Sequence, residues 1–172
     1  YVMRTSNYAK ILAKNQDNNL MSVVGTTIRL AAENGIEMNN VSVDDTGVGA
    51  GVGDRLAEQK FYVNQVKLGG KAEDEKFANK RAENHWRMKE WMNKGGKLHS
   101  LNDWSDLKNL KFKANSRGAL QMMPKDEMRR HGIESPDVSD ALMLTFDRPA
   151  FKKNDIINID EANALFNRYD LI

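Results

Sequence analysis

The chain has 172 residues, of which 40% are hydrophobic and 29% charged, and its formal net charge is +2. This balance is that of an ordinary folded protein, and the length suits one compact domain better than two. The absence of cysteine excludes disulfides, zinc–thiolate sites and cysteine nucleophiles. No apolar run approaches the roughly 20 residues that cross a bilayer, so no membrane partner is expected.

The first half of the chain predicts two strands, a helix and two further strands. The opening strands cover 1–6 and 8–14, and the helix runs from Leu20 to about Ala31. Asp17 is placed to cap this helix, and Asn34-Gly35 ends it. Next come a strand over 40–44, a glycine-rich loop with a short helix that contains Leu56, and a core strand over 61–68.

The second half predicts mainly helices. They are a long helix over 74–93, a shorter one over 101–110, a hairpin over 112–123, and a helix that Ser135-Pro136 opens and that continues through Leu144. A charged tail follows Pro149. Strands that alternate with helices after an opening hairpin predict an α/β domain.

The acidic and glycine-rich segment 44–54, DDTGVGAGVGD, follows a predicted strand and opens a helix. A phosphate-binding loop would lie at such a place, but neither the dinucleotide pattern G-x-G-x-x-G nor the P-loop pattern is met. A carboxylate at the end of a central strand instead suits a hard divalent ion, and glycines let phosphate and backbone approach closely. The third interpretation is that Asp44 and Asp45 only cap the following turn.

The segment 135–142, SPDVSDAL, carries two acids at the start of a helix. Ser135 is predicted at the N-cap, with Pro136 as the first helical residue. Asp137 is explained by the helix dipole alone. Asp140 lies a turn further in, where a carboxylate that faces the core would be expensive without a partner, so a metal ligand is one interpretation.

The three histidines lie in different segments of the chain. They lack H-x-x-x-H spacing, and none is placed beside the acidic segments. We therefore expect core or surface histidines rather than metal ligands.

Four segments together resemble the C-terminal nuclease domain of phage terminase large subunits. They are VDDTGVGAG at 43–51 with DRL at 54–56, FANKRAE at 77–83, MPKDEM at 123–128, and SPDVSDAL at 135–142. Their order and spacing match that family from residue 1 to about residue 146. The resemblance implies a ribonuclease H-like nuclease domain over 1–147, with a mixed central sheet flanked by helices, and a tail of unknown role over 148–172.

The resemblance also implies an activity and its setting. The activity is endonucleolytic cleavage of double-stranded viral DNA concatemers during genome packaging, with two divalent ions, Mg²⁺ or Mn²⁺, that activate a water and stabilise the leaving oxygen. The implied partners are double-stranded DNA, the terminase ATPase domain, the portal protein and the small terminase subunit. The implied location is the host cytoplasm, transiently at the viral procapsid.

The family's site residues carry over position by position. Asp44 matches the acid of the central strand and Asp140 the acid of the last helix, so both are implied as catalytic metal ligands. Asp137 is implied to assist one metal, and Asp45 replaces Asp44 if the register differs by one. The implied DNA contacts are Lys125, Arg81 and Arg129.

One departure concerns the family's first catalytic aspartate, which lies on the first strand of the sheet. The acids before Asp44 are Asp17, Glu33 and Glu37, all in turn or helix contexts. The first strand is therefore expected upstream of Tyr1, and the chain alone is expected to bind metal and cut DNA weakly or not at all and to self-associate through an exposed sheet edge. The alternatives are a nucleotide-binding or structural packaging module that uses the Gly47–Gly53 loop.

Overall fold

The computed structural model describes residues 1–16, 19–133 and 135–148. These residues form two compact units, the first from 1–13 and 67–148 and the second from 14–66. The second unit is thus inserted, in sequence, between two segments of the first. None of the helices in the described ranges combines the length and apolar character that crossing a membrane requires.

The described elements alternate along the chain. In chain order they are β1 (Val2–Arg4), β2 (Tyr8–Ile11), α1 (Leu20–Glu33), β3 (Ser42–Asp44), α2 (Val48–Glu58), β4 (Asn64–Val66), α3 (Lys80–Asn93), β5 (Lys97–Leu98), β6 (Phe112–Ala114), β7 (Leu120–Met122), α4 (Lys125–Arg130) and α5 (Asp137–Leu144). Short 3₁₀ segments cover Met38–Asn40 and Leu101–Asn109. The predicted α/β class is confirmed.

The first unit contains two small sheets. β1 and β2 form the predicted antiparallel hairpin, and β5 adds to β2 in parallel. The second predicted hairpin, β6 with β7, is also confirmed. The main core lies between α3, α5 and the first sheet, and its buried members are Ala9, Met88, Trp104, Leu142, Met143 and Phe146.

Helix α3 begins six residues later than predicted because the segment before it pairs with β7 instead. The amide of Ala78 donates to the carbonyl of Leu120 at 2.8 Å, and the amide of Leu120 donates to the carbonyl of Lys76 at 2.7 Å. Asn79 then caps α3 by accepting from the amide of Ala82 at 3.0 Å. Tertiary hydrogen bonds thus override the helical pattern of 74–79.

In the second unit α1 packs against α2, and α2 packs against the parallel pair β3–β4. Asn19 caps α1 by accepting from the amides of Met21 and Ser22, at 3.0 and 3.2 Å. The predicted cap residue, Asp17, lies outside the described residues. The parallel register sets Asp44 opposite Val66 at the end of the pair.

The glycine-rich segment is helical from Val48 onward, so the prediction of a loop over Gly47–Gly53 is wrong. Gly47 precedes the helix with a φ of 57°. A Cβ at Gly49 would collide with the backbone carbonyl of Asp44, and one at Gly53 would collide with the side chain of Gln65. These glycines therefore allow a helix to pack directly against the strands, which outweighs their poor helix propensity.

Three further differences concern local detail. Pro136, not Ser135, holds the N-cap position of α5 and makes no side-chain cap, while Ser135 Oγ donates to Asp137 Oδ1 at 2.6 Å. The helix predicted over 101–110 is a kinked 3₁₀ segment. Helix α4 was not predicted, and the described strands form separate small sheets rather than one continuous central sheet.

Gly49→Ala should destabilise the second unit by about 1–3 kcal/mol, the usual cost of overpacking, because the added methyl meets fixed backbone. Gly25→Ala is the matched control, since a Cβ there meets nothing within 4 Å. It should raise stability by about 0.5–1 kcal/mol through helix propensity. Urea unfolding followed by circular dichroism measures both changes, and equal midpoints for the two variants would contradict the packing argument.

Candidate functional site

Asp140 in the first turn of α5 is the predicted site residue with the most clearly defined surroundings. Its side chain is 16% exposed, as is that of Arg81 on α3. Arg81 Nη2 donates to Oδ1 of Asp140 at 3.1 Å and lies 3.4 Å from Oδ2. Arg81 is therefore the partner that a half-buried carboxylate at this position requires.

His85 lies one turn beyond Arg81, on the same face of α3. Its ring is 1% exposed, and Nε2 lies 3.4 Å from Asp140 Oδ1. Nδ1 is 2.9 Å from the carbonyl oxygen of Arg81, and because a carbonyl only accepts, Nδ1 carries the hydrogen. The prediction of a core histidine is correct for His85, but the expectation that no histidine lies beside the acidic segments is wrong.

Helix α5 receives a cap from a distant residue. The backbone amide of Ser139 donates to Oδ2 of Asp106 at 3.0 Å, across 33 positions of sequence. Pro136 supplies no side-chain cap, so Asp106 satisfies an amide that the helix start leaves open. Asp106 is not among the residues that the sequence predicts for a functional site, because nothing local to the Ser-Pro segment indicates a cap from a distant residue.

A network of charged side chains fixes the start of α3. Glu83 is 2% exposed and accepts from the backbone amide of Glu73 at 3.0 Å. Arg87 Nη2 lies 3.0 Å and Lys80 Nζ 3.6 Å from its carboxylate. Hydrogen bonds from Lys80 and then Arg87 also lower the pKa of Glu73 below its usual value. The network ties the segment before α3 to the turn that carries Arg81.

Asp44 and Asp45 lie at the end of β3 in the second unit. Oδ1 of Asp44 is buried, and the amide of Asp45 donates to the carbonyl of Val66 at 2.9 Å. The close approach of α2 at Gly49 fixes the backbone of Asp44. Asp44 thus ends a strand of a two-stranded parallel sheet, rather than a central strand as predicted, and its backbone is held between β4 and α2.

The other predicted site residues lie elsewhere on the first unit. Asp137 is exposed and accepts from Ser135. Arg129 is 74% exposed and ion-paired with Asp126 on α4. Lys125 begins α4, but the position of its side chain lies outside what the structure describes.

The carboxylates differ in how well their surroundings fit a divalent ion. The chemistry of Asp140 fits, since a cation, the guanidinium of Arg81, already faces both of its oxygens. Over residues 1–16, 19–133 and 135–148, however, no three His, Asp or Glu side chains are grouped in a way that could hold a metal. Asp140 is thus a cation-binding carboxylate rather than part of a completed metal centre.

The comparisons with known proteins identify the fold. No protein-family model matches the chain, and no curated protein does. Solved structures do match, and they confirm the ribonuclease H-like α/β fold that the resemblance implied.

The matching structures are of the nuclease domain of the large terminase subunit gp2 of bacterial virus Sf6. That domain has 24% sequence identity and a TM-score of 0.68, over 86% of this chain and 80% of that chain. A mutant of it with manganese gives 23% and 0.67, over 85% and 81%. A mutant with calcium gives 23% and 0.67, over 85% and 80%. The expected resemblance to terminase nuclease domains is confirmed at the level of the fold.

Glu83→Ala should lower the free energy of unfolding by about 3 kcal/mol, since it breaks a buried ion-pair network and leaves the amide of Glu73 unsatisfied. Glu33→Ala removes an exposed partner of Arg29 and should cost at most about 1 kcal/mol. Chemical denaturation of both variants measures the difference. Equal losses would show that the Glu83 network does not stabilise the fold.

Proposed function

We propose that the chain is a metal-dependent endonuclease domain that cleaves double-stranded viral DNA during genome packaging. The observation that carries the proposal is Asp140, a half-buried carboxylate whose two oxygens both face a cation, on a fold shared with a phage terminase nuclease domain. The fold alone does not assign an activity. The support comes from Asp44 and Asp140, the acids at the positions that the resemblance to terminase nuclease domains implies as metal ligands.

In this proposal Asp140 and Asp44 are the metal-binding carboxylates, and Asp45 and Asp137 lie beside them in sequence. Carboxylate oxygens are the ligands that Mg²⁺ and Mn²⁺ prefer, and two bound ions would supply an activated water and stabilise the leaving oxygen of a phosphodiester. Manganese and calcium accompany mutants of the Sf6 domain in two of the similar structures. Both are divalent ions of the kind that carboxylate oxygens bind.

The chain's own residues have separate tasks. Asp106 and the Glu83 network hold α5 and α3, respectively, so that Asp140 and Arg81 meet. Arg81, Arg129 and Lys125 are the proposed phosphate contacts. The proposed macromolecular partners are double-stranded DNA, the terminase ATPase domain, the portal protein and the small terminase subunit, in the host cytoplasm at the procapsid.

A nucleotide-binding role has less support than nuclease activity. The segment Gly47–Gly53 is helical from Val48, and the amide of Gly49 donates to the carbonyl of Thr46 at 3.1 Å. This amide is therefore already used, whereas a phosphate-binding loop presents its amides to the ligand.

Nicking of a supercoiled plasmid with Mn²⁺ or Mg²⁺ tests the proposal. We expect Asp140→Asn to lower the rate at least about 100-fold, because the variant loses a charged metal ligand. Asp54→Asn, at an exposed acid on α2, is the control and should leave the rate unchanged. The assay is run on the 172-residue chain and on a form lengthened upstream by any residues that its gene encodes there.

The two lengths make the result specific. Cleavage that requires both the metal and Asp140 supports the nuclease proposal. Cleavage that persists in Asp140→Asn would indicate a contaminant or another site. If neither length cuts with either metal, the domain is a structural packaging component, and the nuclease proposal is wrong.

A further inference from the structure

The cations of α3 differ in how many acceptors hold them. Lys80 Nζ lies within 4.0 Å of Glu73, Glu83 and Asp147. Arg87 contacts Glu73, Glu83 and the carbonyl oxygen of Phe146. The side chain of Arg81, by contrast, is held by the single carboxylate of Asp140. Of these three cations, Arg81 contacts the fewest acceptor groups through its side chain.

The backbone of Arg81 is fixed independently of its side chain. Its amide donates to the carbonyl of Leu68 at 3.0 Å, and the preceding amide of Lys80 donates to Gly70 at 3.0 Å. The guanidinium can therefore leave Asp140 by side-chain rotation alone, without unfolding the first turn of α3. A side-chain exposure of 16% leaves it a route towards solvent.

We propose that Arg81 is an exchangeable cation: it neutralises Asp140 in the metal-free protein and moves to a DNA phosphate when a divalent ion binds the carboxylate. The inference rests on the proposed function, since it takes Asp140 as a metal ligand. A guanidinium and a divalent ion on one carboxylate repel each other, so binding of the ion requires that the guanidinium move away.

Arginine suits both positions of this exchange. Its planar fork of N–H donors matches the geometry of a carboxylate and of a phosphate alike. DNA would draw Arg81 away from Asp140 and so favour metal binding, and metal would release Arg81 and so favour DNA binding. By linkage the two effects must be equal, so metal and DNA should bind with positive cooperativity through this one side chain.

The first experiment measures Mn²⁺ affinity by calorimetry in the absence of DNA. We expect Arg81→Gln to bind Mn²⁺ about 10-fold more tightly than the native chain, within the usual range of such couplings. Arg81→Lys keeps the charge and should stay near the native affinity. Lys89→Gln removes an exposed charge from the same helix and should change nothing, while Asp140→Asn should abolish the binding. Circular dichroism of each variant checks that it is folded.

The second experiment measures the affinity for a short fluorescent duplex with and without Ca²⁺, with a gel to show that the duplex stays intact. In the native chain Ca²⁺ should raise the DNA affinity. The increase should be severalfold larger than the one that Ca²⁺ causes in the double variant Lys89→Gln, Asp140→Asn. In Arg81→Gln this gain should be lost, although the variant binds the ion more tightly. A purely structural ion pair would not produce these opposite changes.

The outcomes separate the inference from the proposed function. Unchanged or weaker Mn²⁺ binding by a folded Arg81→Gln, while binding still requires Asp140, overturns the exchange and leaves the nuclease proposal standing. A Ca²⁺-dependent gain in DNA affinity that survives Arg81→Gln also overturns it. If no variant shows metal binding that Asp140→Asn removes, both the exchange and the metal site are wrong.

Discussion

The ion pair between Arg81 on α3 and Asp140 on α5 belongs both to the packing of the two helices and to the proposed metal site. Removing a carboxylate from water is costly, and the cost falls only if a partner is supplied in good geometry. Helix α3 supplies such a partner, Arg81, and places the buried ring of His85 one turn further along, with Nε2 3.4 Å from Asp140 Oδ1. Because α3 and α5 also share the main apolar core, the position of Asp140 follows from how the two helices pack.

That contact in turn requires α3 to begin at the right residue. The buried carboxylate of Glu83 binds the amide of Glu73 and the side chains of Lys80 and Arg87, so the turn before α3 folds back onto the helix. Asn79 and the amide bonds to Leu68 and Gly70 complete this arrangement. This charged network is therefore anchored on one buried carboxylate, that of Glu83, while Glu73 remains mostly exposed.

Local patterns predicted most of the elements, and long-range contacts account for the errors. The opening hairpin and the Asn-Gly helix end are short-range features that lie where they were expected, and the Ser-Pro helix start is displaced by one residue. The Arg81–Asp140 pair spans 59 positions and the Asp106 cap spans 33, so neither leaves a trace in a local pattern. The glycines of α2 were misinterpreted because their use, close packing at Asp44 and Gln65, depends on strands that meet only in the fold.

The charges around Asp140 explain why an arginine at position 81 is compatible with the proposed metal site as well as with stability. In the metal-free chain the guanidinium lies against both carboxylate oxygens of Asp140 and offsets their negative charge. In the proposed exchange a metal ion takes the place of the guanidinium on Asp140, and the DNA backbone offers the guanidinium a new source of negative charge. One side chain can therefore stabilise the empty protein and bind the loaded complex, provided that a single carboxylate holds it, as is the case for Arg81.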